Sequence, residues 1–200
     1  MKKVKYIFDL DGTLISYETT LKIYSRVYEK TVETLEKYGL YLPEHLRKHS
    51  EKWIEAFSYS NFRELFNEIY LKEISRYNFS EERKRIDKIL NYVKNRFNNC
   101  EIYVLTDNPF AKEILSIIGV ENLKIIVIND KKKKVTTIDE YYHEYIRVKS
   151  EEIERLKDEC KDCEIFYVGD LLADKTIAEL TKVEFINITD LEKHIYEQNI

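Results

Sequence analysis

The chain has 200 residues, 44% of them hydrophobic, and a formal charge of −4 from 33 basic and 37 acidic side chains. That length supports one sizeable core, or a core with a small accessory domain. The interspersed and slightly acidic charge argues against a nucleic-acid partner, which selects a basic stripe, and no run approaches the roughly 18 apolar residues of a membrane span.

The N-terminus is basic and then apolar, as a secretory leader is. Its apolar run over 4–8 is interrupted by Lys5 and ends at Asp9, too short for a leader core, so a cytoplasmic protein is expected. The same run, extended to 4–9, reads as a buried β-strand. From 16 to 98 the pattern becomes helical. Leu21, Tyr24, Val27, Tyr28, Val32 and Leu35 share one face of a first helix. Gly39 suits its end and Pro43 a restart. Further helices are expected over 44–57, 61–74 and 80–97, the last with Ser80 as N-cap.

From residue 101 strands and helices alternate. Strands are expected over 102–105, 123–128, 164–168 and 183–188. Helices are expected over 109–118, ending at Gly119, and over 151–159, 173–181 and 190–196. The stretch 135–148 fits either a strand or a helix. Short, continuously apolar strands alternating with helices predict an α/β fold: a Rossmann-like parallel sheet covered on both faces. The core is expected to comprise 1–15 and 99–200, with 16–98 inserted after the first strand as a helical unit. Ligands of such sheets bind at the carboxyl ends of the strands.

Three predicted strand ends carry polar residues: Asp9-Leu10-Asp11-Gly12-Thr13, Thr106-Asp107-Asn108, and Gly169-Asp170 through Asp174. On adjacent parallel strands these converge, and four carboxylates drawn together call for a cation. Oxygen-only ligands indicate a hard ion, Mg²⁺ above all. The chain has only four glycines. Gly12 and Gly169 stand inside the acidic motifs, where tight turns or close backbone approach are needed. Cys160 and Cys163 form a lone C-x-x-C without the second pair of a structural zinc site, so reduced thiols are expected. The run 131–134 of lysines reads as a solvated turn.

Asp9-Leu10-Asp11-Gly12-Thr13-Leu14 resembles the first motif of the haloacid dehalogenase-like superfamily. Thr106, Lys149 and Gly169-Asp170 to Asp174 resemble its second, third and fourth motifs, in order. Asp107 stands where Asn is common and Ser150 where Pro is frequent. The connection to Lys149 is long, so a lysine of 131–134 is the alternative for the third motif. The insert over 16–98 is similar to the helical cap of that superfamily. The resemblance implies a Mg²⁺-dependent phosphohydrolase acting on a small phosphorylated metabolite. Asp9 would be the nucleophile and Asp11 the acid and base. Thr106 and Lys149 would hold the phosphate. Asp9, Asp11 (through its main-chain carbonyl), Asp170 and Asp174 would ligate the metal.

Asp11 at that position suits an alkoxide leaving group and disfavours dehalogenase or phosphonatase chemistry. A phosphosugar mutase of the β-phosphoglucomutase type keeps the same motifs. A non-catalytic phosphate-binding protein on the same fold is a further alternative. A phospho-receiver module fits poorly, because its acceptor lies on a later strand. Among the residues of 16–98, Tyr17, Arg26, Arg47, Lys48, Trp53 and Arg63 are candidates to face the site, whereas Tyr24 and Tyr28 are read as packing.

Overall fold

The computed structural model describes residues 3–48, 50–97 and 99–198; the expected unit boundary at Asn98 and the chain ends lie outside them. Five strands, β1 (Val4–Phe8), β4 (Cys100–Thr106), β5 (Lys124–Val127), β6 (Glu164–Gly169) and β7 (Glu184–Asn187), form one parallel sheet in the order β5-β4-β1-β6-β7. The short strands β2 (Asp11–Gly12) and β3 (Ile15–Ser16) pair just beyond β1. The chain is α/β, as its alternating pattern predicts.

The central strand alternates between two cores. Val4, Tyr6 and Phe8 face one cluster, which continues through the helices between β1 and β4. Ile7 faces a second, formed with α7 (Ile138–Asp158) and α8 (Leu172–Thr181). Covering both faces is what makes the strands apolar without interruption. Lys5 falls on the second face and is buried. Its ammonium donates to the Leu156 carbonyl at 2.7 Å, satisfying a carbonyl of the last turn of α7.

Between β1 and β4 the chain inserts α1 (Tyr17–Lys37), α2 (Glu44–Arg47), α3 (Trp53–Phe57), α4 (Ser60–Ile74) and α5 (Ser80–Arg96). Helices α1 and α4 pack together around an aromatic set of Tyr24, Tyr28, Phe57, Phe62, Phe66 and Tyr70. The entry to α1 is held from α5. Glu82 accepts from the Ser16 amide (3.1 Å) and the Thr19 hydroxyl (2.6 Å), and Arg85 donates to the carbonyls of Thr13 and Leu14.

Several local expectations are corrected. The helix expected over 44–57 is broken into α2, a 3-10 turn at Ser50–Lys52, and α3. Of the expected face of α1, Val27, Tyr28, Val32 and Leu35 are buried but Leu21 is half exposed, because at its N-terminal end the buried stripe runs through Thr19 and Ile23. Ser80 is the first residue of α5 rather than its cap, and its amide is taken by Asn78 Oδ1 at 3.0 Å. Helix α6 (Ala111–Ile118) starts two residues after Pro109 and ends at Gly119, whose φ is +80°. The ambiguous stretch 135–148 is helical. Thr137 and Glu140 form a capping box that starts α7, and the helix runs unbroken to Asp158. Cys160 and Cys163 are joined as a disulfide in the turn from α7 to β6 rather than reduced, with Cα atoms 5.4 Å apart. The helix α9 (Ile188–Glu197) packs on α5. No helix among the described residues is long and apolar enough to cross a membrane.

Candidate active site

The carboxyl ends of β1, β4 and β6 lie side by side, and their loops carry the acidic motifs. Asp9 follows β1 directly. Its amide donates to the Val168 carbonyl of β6 at 2.9 Å, so the strand pairing extends to the residue that presents the carboxylate. Asp9 is buried, as are Lys149 and Asp174. Oxygens of Asp9, Asp170 and Asp174 come within 4.8 Å of one another. This is an all-oxygen donor set of the kind a hard divalent cation takes.

Glycine makes that convergence possible at two points. Gly12 has a φ of +82°, and a Cβ there would stand 2.4 Å from Asp170 Oδ2. A Cβ on Gly169 would stand 2.5 Å from the Asp174 Cβ. Both motifs therefore need a residue without a side chain for the carboxylates to occupy their places.

Lys149 lies inside the cluster, on α7. Its ammonium has three donors and three partners: Asp9 Oδ1 at 2.8 Å, the Tyr167 hydroxyl at 3.0 Å and the Tyr145 hydroxyl. The tyrosines pass the contact onward. Tyr167 donates to Asp174 Oδ1 at 2.7 Å, and the Tyr145 hydroxyl lies 3.1 Å from the same oxygen and 3.3 Å from Asp9 Oδ2. Asp174 also accepts from the Leu171 amide at 3.1 Å through Oδ2, so it caps α8 while its other oxygen faces the cluster. Asp170 is less buried and accepts from the Thr13 hydroxyl at 3.2 Å.

Asp11 points elsewhere. Its carboxylate accepts from Asn108 Nδ2 at 2.9 Å, and that amide also lies 3.3 Å from the Tyr70 hydroxyl and 3.5 Å from the Tyr24 hydroxyl. The Asp11 carboxylate is therefore not part of the three-aspartate cluster. Thr106 ends β4, fully buried, with its hydroxyl accepting from the Asn108 amide at 3.1 Å. Asp107 is bound by Lys132 at 2.8 Å and by the Tyr141 hydroxyl.

Burial dominates the electrostatics. It raises the Asp9 carboxyl, against the pull of Lys149 and with the push of Asp174. It lifts Asp11 to about 7, offset by the Asn108 hydrogen bond. Asp170 is raised by burial and by Asp174. Asp107 is the exception: burial acts upward there too, but Lys132, Tyr141 and Lys149 together outweigh it and the carboxyl is lowered. The Lys149 ammonium is held above its ordinary value because Asp9 and Asp174 outweigh its desolvation. Carboxylates still outnumber lysines in this site, an imbalance that a bound cation relieves.

Lys131, Lys133 and Lys134 are exposed, as expected of a solvated turn, and Lys132 is the exception. Lys132 is largely buried against Asp107 and over the Tyr141 ring, while Lys131 pairs with Glu152 on the flank of α7. Among the candidates of 16–98, Trp53 packs edge-on against Tyr141 at 5.1 Å. Tyr17 is exposed, Arg26 is bound by Glu73, Arg47 by the Leu42 carbonyl and Arg63 by the Phe57 carbonyl. Tyr28 packs, donating to the Leu46 carbonyl, and Tyr24 packs as expected against Phe66 and Tyr70, while its hydroxyl also lies 3.5 Å from Asn108 Nδ2. Of the groups in the site, Tyr70, Tyr141, Tyr145 and Tyr167 carry no expectation from the sequence, and Asn108 enters only as part of a polar strand end. One signal was present: Tyr141, Tyr145 and Lys149 are spaced four apart and share a helix face.

No family model and no curated protein matches the sequence. Solved structures do. A hydrolase from Streptococcus pneumoniae aligns over 98% of this chain and 99% of its own, at 18% identity and a TM-score of 0.53. A haloacid dehalogenase-like family hydrolase from the same organism aligns over 92% of this chain and 83% of its own, at 15% identity and a TM-score of 0.56. A candidate phosphoglycolate phosphatase from Lactobacillus plantarum aligns over 94% and 87%, at 15% identity and a TM-score of 0.55. At these identities the likeness concerns architecture, and with the strand order and the motif positions described above it shows that this chain is built on the haloacid dehalogenase-like hydrolase fold.

Proposed function

We propose that this protein is a Mg²⁺-dependent phosphohydrolase that cleaves a small phosphorylated metabolite, a phosphomonoester, through an aspartyl-phosphate on Asp9. The observation that carries the reading is the buried Asp9 carboxylate, paired with Lys149 and within reach of Asp170 and Asp174. Structural relatives that are hydrolases or candidate phosphatases support it.

An Asp9 oxygen attacks phosphorus, and the bond to the leaving oxygen breaks as Asp11 delivers its proton. Water then attacks the acyl phosphate, Asp11 recovers a proton from it, and inorganic phosphate leaves with Asp9 regenerated. A carboxyl raised to about 7 suits Asp11 to both proton transfers near neutral pH. Lys149 neutralises Asp9 and the incoming phosphoryl group, and Thr106 is assigned a hydrogen bond to a phosphoryl oxygen. Asp9, Asp170 and Asp174, with the Asp11 carbonyl, would hold Mg²⁺, which when bound supplies charge stabilisation to the phosphoryl oxygens. The helices of 16–98 are assigned the role of a cap that excludes water, and a cytoplasmic setting is proposed with them.

The test is phosphate release from an aryl phosphate and a panel of phosphorylated metabolites, with and without Mg²⁺, by wild type and Asp9→Asn. Metal-dependent release that falls at least about a thousandfold in the variant supports the reading. Release at equal rates in the variant removes Asp9 as nucleophile, and no release from any ester removes the hydrolase assignment.

A further inference from the structure

We propose that the site selects phosphomonoesters whose leaving group is uncharged, and that Tyr24, Tyr70 and Asn108 form the wall that receives it. This rests on the phosphohydrolase reading above, in which Asp11 protonates the leaving oxygen and so stands beside the leaving group.

The side chains that close over the Asp11 carboxylate through Asn108 are neutral. Asn108 Nδ2 donates to it at 2.9 Å, and the hydroxyls of Tyr70 and Tyr24 lie 3.3 and 3.5 Å from the same nitrogen. The two tyrosine rings are 5.3 Å apart, and Phe110 stacks on Tyr70 at 5.3 Å. Burial raises both phenols well above their ordinary value, so they remain neutral hydroxyls. Rings with hydroxyl tips offer an alcohol both an apolar face and hydrogen-bonding partners.

Among the described residues, the cations that the contacts place near Asp11 are paired. Lys149 is held by Asp9 and by two tyrosines, and Lys132 by Asp107. On the helices above, Arg26 and Lys30 share Glu73. A carboxylate or second phosphate on the leaving group would therefore be buried beside Asp11 and the Lys132-paired Asp107 without a cation of its own, which is costly. A neutral alcohol carries no such cost. Specificity of this kind arises from rejecting the wrong ligand as much as from attracting the right one.

Glycerol 3-phosphate and 3-phosphoglycerate make a matched pair, differing by a hydroxymethyl against a carboxylate. Each is measured as a competitor of Mg²⁺-dependent aryl phosphate hydrolysis by the full chain. The expected result is inhibition by glycerol 3-phosphate at a concentration at least about tenfold lower than by 3-phosphoglycerate. Tyr24→Lys, at a half-buried position, should narrow that ratio at least about threefold by supplying the missing cation. Equal competition, no competition by either, or the reverse order in wild type overturns the inference while leaving the hydrolase reading intact. An unchanged ratio in Tyr24→Lys removes the assigned wall. No hydrolysis of the aryl phosphate overturns the phosphohydrolase reading and this inference with it.

Discussion

Lys149 and Asp9 stand 140 positions apart in sequence, yet the lysine ammonium donates to Asp9 Oδ1 at 2.8 Å and both side chains are buried. The contact exists because β1 places Asp9 at the sheet centre and the fourth turn of α7 crosses beside it. Removing one member of a buried pair strands the other, a loss of about 3 kcal/mol or more. Lys149→Met should therefore lower unfolding free energy by about that amount in urea titration and reduce aryl phosphate turnover at least about a hundredfold. An unchanged denaturation midpoint would show that the pair carries no stability.

Stability of the metal-free protein should fall as pH rises from about 4 to about 7. Asp11 is raised to about 7 by burial, and Asp9 and Asp170 are raised by the same cause. In that window the folded state binds more protons than the unfolded chain, so unfolding free energy decreases with pH. Carboxylates lowered by surface partners, such as Glu73 with Lys30 and Glu101 with Lys124, act in the opposite sense but below about pH 4. Thermal unfolding with EDTA across pH 4.5 to 7.5 checks the slope. Under the proposed function, Mg²⁺ should raise Tm more at the upper end, where the carboxylates that would hold it are ionised. A flat profile with EDTA would mean that the buried carboxylates do not titrate as their surroundings dictate.

Three glycines with positive or crowded geometry separate strain from site damage. Gly12→Ala would drive a Cβ into Asp170, and Gly169→Ala one into Asp174, whereas at Gly39, with φ +70°, nothing lies within 4 Å of an added Cβ. All are expected to fold. Gly39→Ala should cost about 1 kcal/mol and leave Mg²⁺ dependence unchanged. Gly12→Ala and Gly169→Ala should weaken the apparent Mg²⁺ affinity at least about tenfold, by displacing aspartates. A Mg²⁺ titration of activity in the three variants decides this, and similar curves would exclude the steric argument.

The Tyr145 hydroxyl joins Lys149, Asp9 and Asp174 without being assigned to substrate. Tyr145→Phe removes only that oxygen. It should lower kcat about tenfold with KM within about twofold, the pattern of a group that positions the nucleophile. Tyr28→Phe also deletes a buried hydroxyl, at the Leu46 carbonyl on the far side of the helices. It should cost about 1 kcal/mol of stability and leave kcat alone. Equal kcat in both variants would reduce Tyr145 to a packing residue.

Local chemistry made much of this protein legible in one dimension. Apolar strands followed at once by Asp9, Thr106 and Asp170 mark strand ends at a parallel sheet, because a continuous apolar run needs cover on both faces and its polar end marks the rim. The glycines within the acidic motifs are equally readable, since a missing Cβ has few uses beyond positive φ and close approach. Helix α7 was harder. Its first turns mix Tyr, Ile and charge, so periodicity left them open, and the Tyr141–Tyr145–Lys149 face stayed hidden until the Thr137 cap established one continuous helix.

What the sequence determined by itself is therefore the set of groups at each strand end and the order in which they arrive. Which of them meet was decided only in three dimensions. Lys132 rather than solvent meets Asp107, Asn108 meets Asp11, and Tyr24 and Tyr70 descend from the inserted helices to the same amide. These pairings depend on how α4 packs on α1 and α1 on the short β2–β3 pair beyond β1, and on how the chain from β5 to α7 folds back. The reason is physical: a buried polar group takes whichever partner the packing of distant elements brings within about 3 Å, and no local pattern in the chain encodes that distance.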